Sequence, residues 1–190
     1  MNQPQRDART DLCGPALGAF DALPLEALEE ACGELHRRIS AALRDIGELQ
    51  ADEGGREAPR RLVAGYVASL ELACTTFGAA AAGVDAPGGR IDRHPAAVAA
   101  AMYGATAIPA LLARMEQDRR MLTSLARHEE FRLDSVVAGP WGEVSLRRVL
   151  TEVALGEASR CAQALDARLA EIDAAERARM ERERGESGLV

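Results

Sequence analysis

From Pro24 the chain carries apolar residues at three- and four-residue steps: Leu25, Leu28, Cys32, Leu35, Ile39, Leu43, Ile46 and Leu49. That spacing places them on one face of a helix over 24–50, with charged residues on the other side. Pro24 suits the first helical turn, where its missing N–H does no harm. The stretch ADEGGREAP (51–59) ends the pattern with two glycines and a proline. A second run, Leu62, Val63, Tyr66, Val67, Leu70, Ala73, Cys74, Phe77 and Ala81, predicts a helix over 59–82. Its small residues, among them Gly65, Ala68, Ala73 and Gly78, suit close helix–helix contact or leave room for a ligand. GVDAPGGRIDRHP (83–95) reads as a loop from its Gly, Pro and Asp content.

The third helix starts at Pro95 and runs to about Arg127, with Pro109 inside it. A mid-helix proline removes one hydrogen bond and clashes with the preceding turn, so a kink is expected near Ile108. The alternative is two shorter helices split between Gly104 and Pro109. The segment 131–144, with Gly139-Pro140-Trp141-Gly142, predicts a loop containing a few extended residues. Ser145 then has the character of an N-cap, with Val144 and Val149 as a hydrophobic staple. The fourth helix extends from Leu146 to about Ala175. The expectation is an all-α four-helix bundle with a kinked third helix, one domain over 21–175. It is flanked by a flexible arm over 1–20 and a charged, flexible tail over 176–190.

Composition agrees with helix. Of 190 residues 38 are alanine, and all 23 basic residues are arginine, both strong helix formers. A net charge of −7 argues against nucleic acid as the main partner, because phosphate-binding surfaces need a basic excess. No run of 18 apolar residues and no apolar leader core occur, so neither a membrane partner nor secretion is expected, and the protein reads as cytoplasmic. Cys13, Cys32, Cys74 and Cys161 are scattered and form no CxxC pair; they read as small buried apolar residues. No Cys/His cluster has metal-ligand spacing, so no metal or other cofactor is expected. GxGxxG, Walker A, HExxH, GxSxG and Glu-x-x-His signatures are all missing. His36 lies at the edge of the first apolar stripe, His94 precedes a helix start, and His128 reads as a helix-terminal cation.

The segment 139–169 is the most informative. On a regular helical wheel from Leu146, the apolar face holds Leu146, Val149, Leu150, Val153, Ala164 and Leu165. Glu157 falls in its middle and Arg160 beside it, three residues apart and able to meet. Burying charge is costly unless it is paired. The pair is therefore either a structural ion pair or part of a polar pocket in the core.

The Trp141-Gly142-Glu143-Val144-Ser145-Leu146 turn, leading into a helix that carries Gln163, resembles the last helix of the DinB-like and mycothiol-dependent maleylpyruvate isomerase superfamily. The resemblance covers roughly 20–172, and its specific part is 141–165. It implies a four-helix bundle, often dimeric, and in the family a divalent metal held by three histidines. Matched onto this chain, those positions fall at Gly65 in the stretch Val63-Ala64-Gly65-Tyr66, at Gly156 and at Arg160. Neither Gly nor Arg offers a donor to a metal, so the resemblance implies a member without the metal site. Two glycines in place of imidazoles leave space, lined by Gly65, Tyr66, Glu152 and Gly156. Arg160 beside it supplies a fork for a small anionic ligand, and Glu157 acts as a base if desolvation raises its pKa.

Two functional readings follow. The first is a metal-free pocket protein, an isomerase, transferase or cyclase acting on a small organic acid, with Glu157 and Arg160 as the catalytic pair. The second is a non-catalytic helical bundle that works as a homodimer or on a protein partner.

Overall fold

Helix α1 occupies Leu25–Gln50 and buries the predicted stripe from Leu25 to Ile46 except for half-buried Leu35, with Ile39 and Leu43 wholly enclosed, whereas Leu49, beyond the break at Gly47, is exposed. It breaks at Gly47, whose φ of 77° a side-chain-bearing residue rarely adopts. Helix α2, Pro59–Ala82, stops at Gly83 in the left-handed conformation. In the computed structural model, which describes residues 23–187, α2 is the central helix: Val63, Val67, Leu70 and Phe77 are fully buried. It is long and apolar enough to cross a membrane, but most of that apolar length is covered by its neighbours.

The single kinked third helix is not formed; the alternative of two shorter helices is, α3 (Pro95–Gly104) and α4 (Ile108–His128), bent by 113° across the break. Pro109 stands in the first turn of α4, where its missing N–H is harmless, and Ala105 and Ala107 leave helical geometry. The break is stitched by polar groups. The Ile108 N–H donates to Glu48 Oε1 at 2.7 Å, and buried Arg60 donates to Thr106 O at 2.6 Å and Glu48 Oε2 at 2.6 Å. The free N–H at the start of α4 is thus satisfied from α1.

The segment expected as a loop with a few extended residues holds a β-hairpin, β1 (Val136–Gly139) antiparallel to β2 (Gly142–Ser145), with Gly142 at φ 86°. Ser145 caps the next helix, its Oγ accepting the Arg148 N–H at 3.1 Å. That helix, α5, is α-helical over Leu146–Thr151, π-helical over Glu152–Glu157 and α-helical again over Ala158–Ser187. The stretch from Glu176, expected as a flexible tail, is helical as far as Ser187; its Ala, Glu and Arg content favours helix, and Arg179 and Glu183 pair at 3.8 Å. The expected arm at 1–20 lies outside the described residues.

The described residues are therefore mostly helical, with one small two-stranded sheet among them. Helix α2 packs against α3, α4 and α5, while α1 packs against α4 and α5. Core side chains from α1, α2, α4 and α5 meet in one cluster that also takes in Trp141 of the hairpin.

Candidate functional site

A cleft of about 750 Å³ opens where α2, the α2–α3 connection, α3 and α5 meet. Its wall includes Gly65, Tyr66 and Ser69 from α2, Asp92 and Arg93 from the connection, and Glu157, Arg160 and Cys161 from α5. A side chain at Gly65 would meet nothing within 4 Å, so its bare α-carbon contributes open space.

Four of the six residues singled out from sequence, Gly65, Tyr66, Glu157 and Arg160, line this cleft. Glu152 and Gly156 do not reach its wall; both are buried within the π-helical stretch. The space expected at Gly156 is occupied: a Cβ there would lie 3.1 Å from Glu152 Oε2. Tyr66 presents its ring, because its hydroxyl is 2.6 Å from His36 Nε2.

The wheel placement of Glu157 and Arg160 on the core face needs correction. Glu157 is 17% exposed and Arg160 49%, while the buried positions beyond the π-helical stretch are Ala158, Cys161, Ala162 and Leu165. The π-turn takes up one extra residue, so the core stripe slips by one position. The fully buried acid of this part of α5 is Glu152, 2% exposed. Its Oε1 accepts from Arg160 Nη2 at 2.5 Å, and its Oε2 has no partner among the described residues.

Around this pair runs a chain of charges that the wheel did not show. Glu157 Oε1 faces three guanidinium groups: Arg90 Nη2 at 3.1 Å, Arg160 Nη2 at 3.2 Å and Arg93 Nη2 at 3.3 Å. Arg90 donates to Asp92 Oδ2 at 2.7 Å, and Ser69 Oγ donates to the same oxygen at 2.8 Å. Arg90 also stacks over the Trp141 ring, 4.9 Å from its centroid. Arg90, Asp92 and Arg93 belong to the stretch 83–95, whose composition reads as a loop. The signal was present: Arg90-Ile91-Asp92-Arg93 sets three charges in four residues just before a helix start.

The electrostatics overturn one expectation. Burial pushes the Glu157 pKa up, but Arg160 and then Arg90 pull it down further, leaving it below the usual carboxylate value. Glu157 is therefore ionised at neutral pH and a weak proton acceptor, not a base raised by desolvation. Burial also pushes the Cys161 thiol up to about 12, so it stands protonated and is no nucleophile. Arg160 Nη2 serves both Glu152 and Glu157, and among the described residues its Nε and Nη1 donate to nothing. The site can therefore hold an anion with a guanidinium already fixed from behind. Among the described residues no three of His, Cys, Asp or Glu come together as a metal site.

No protein-family model, curated protein or solved structure matches the chain.

Proposed function

We propose that this chain is a four-helix bundle of the DinB-like kind whose 750 Å³ cleft binds a small organic acid through Arg160, with no metal in the recognition. The observation that carries the reading is Arg160 itself. It is half-exposed to the cleft, anchored from behind by buried Glu152, and has donors to spare. Arg61 and Arg93 on the same wall add positive potential where a carboxylate enters. Leu62, Val98 and Ala164 supply apolar surface for the remainder of the molecule.

The positions that the resemblance assigns to metal ligands hold Gly65, Gly156 and Arg160. Two of them border the cleft, and none carries a metal donor. Binding and orientation suit this wall better than proton abstraction, because the ionised Glu157 is a weak base. Isomerase, transferase or cyclase activity would rest on charge stabilisation by the arginines. The test is calorimetry against a panel of mono- and dicarboxylates. Saturable one-to-one binding lost in Arg160→Gln supports the reading; no binding by any member, or binding indifferent to that substitution, overturns it.

A further inference from the structure

A second cleft, of about 680 Å³, opens between α1 and α4 and shares no wall residue with the first. Arg37, Arg44, Arg119 and Arg120 line it against a single carboxylate, Glu116. That is a concentrated positive surface on a chain of net charge −7. Glu116 is engaged by Arg119 at 2.7 and 2.8 Å and by Arg120 at 2.8 Å, and Arg37 leans on Glu34. Arg44 has no partner among the described residues.

Within this wall sits His36, 3% exposed, with Nε2 hydrogen-bonded to Tyr66 and Nδ1 buried without a hydrogen-bond partner among the described residues. Burial, with Arg119 nearby, pushes its pKa down to about 4, so the ring is neutral and carries one N–H. The Glu116 carboxylate lies 4.0 Å from Nδ1, too far for a hydrogen bond but close enough to favour the proton on that nitrogen. The Tyr66 hydroxyl then donates to Nε2, and the Nδ1–H is a buried donor in need of an acceptor.

We propose that this cleft binds the phosphoryl group of a small phosphorylated molecule, with Arg44, Arg119 and Arg120 and the His36 Nδ1–H donating to its oxygens. A dianionic tetrahedral group with three peripheral oxygens matches several guanidinium forks and one neutral donor better than a planar monoanion does. Pro109, Leu112 and Ala113 give the same cleft an apolar wall for an organic portion.

The experiment is calorimetric titration with phenyl phosphate at physiological salt, with inorganic phosphate and benzoate as parallel probes. Alongside it, the His36 ring nitrogens are followed by nitrogen-15 NMR. One-to-one binding of phenyl phosphate is expected, with a shift at His36 Nδ1 and weaker binding of benzoate. Arg44→Gln and Arg120→Gln alter exposed residues, and each should weaken affinity about tenfold by removing one charge-assisted hydrogen bond. The proposal is overturned by an unmoved His36 signal or by benzoate binding as tightly as phenyl phosphate. It is also overturned by affinity that survives the double variant but falls in Arg160→Gln, which would place the anion in the first cleft.

Discussion

Replacing Arg160 with alanine tests the polar floor of the first cleft most directly. Glu152 is buried and, among the described residues, its side chain holds one hydrogen bond, from Arg160, while its second oxygen lacks a partner. Removing the guanidinium strands a carboxylate in the core, and breaking a buried pair from one side costs about 3–5 kcal/mol. Arg160 is itself 49% exposed, so water entering from the cleft replaces part of what it supplied. The expected loss is then about 2–3 kcal/mol at neutral pH. Urea unfolding followed by helical circular dichroism measures it. The Glu152→Leu/Arg160→Ala double variant should recover most of the loss, because no charge is left to solvate. A single-variant loss under about 0.5 kcal/mol, or no recovery in the double variant, would refute the claim that Glu152 depends on Arg160.

Asp118 of α4 is 7% exposed with one oxygen unpartnered; burial, then the charge of Glu71, pushes its pKa up to about 6. A raised carboxyl stabilises the fold at low pH and loses that contribution as pH rises through its folded value, so Asp118→Asn should gain roughly 1–3 kcal/mol at about pH 7.5 and little at about pH 4, read from urea midpoints. At Gly156 an added methyl presses on the Glu152 carboxyl at 3.1–3.4 Å, so Gly156→Ala should forfeit the gain of about 1 kcal/mol that helix propensity predicts. In a Glu152→Ala background the same substitution should recover that gain, which the same unfolding assay reports.

The helical pattern was legible because burial and period agree over α1 and α2, where the predicted and observed ranges coincide to within a residue. Pro109 announced a disruption, but whether a proline kinks a helix or opens a new one depends on who satisfies the freed groups. Here Glu48 and Arg60, distant in sequence, do so. The hairpin was hidden because a strand pair of four residues each leaves too few alternating positions to register a period. In the candidate site, Gly65 was legible as a small residue on the second apolar run, and Glu157 and Arg160 as a charged pair three residues apart, although a regular wheel turns that pair onto the core face. For Asp92 and Arg90 the sequence shows only a cluster of charges, since their partners come from a loop folding against α2 and α5.

Glu152, Gly156 and the π-helical stretch have one explanation between them. Positions eight apart on a regular α-helix differ by about 80° around the axis, so Glu152 and Arg160 would face different ways. A π-turn absorbs one residue without adding its rotation, which brings the two positions to within about 20° of each other, as residues seven apart would be. Side chains on a helix lean toward its N-terminus, so Arg160 reaches back toward Glu152. Gly156 lies between them, and the carboxyl of Glu152 rests against its bare α-carbon. A larger residue there would push the carboxyl aside, and a regular helix would turn Arg160 away from it. The two irregular features of α5, a glycine inside a helix and a π-turn, thus serve the same contact: an arginine held at the cleft wall by a carboxylate buried behind it.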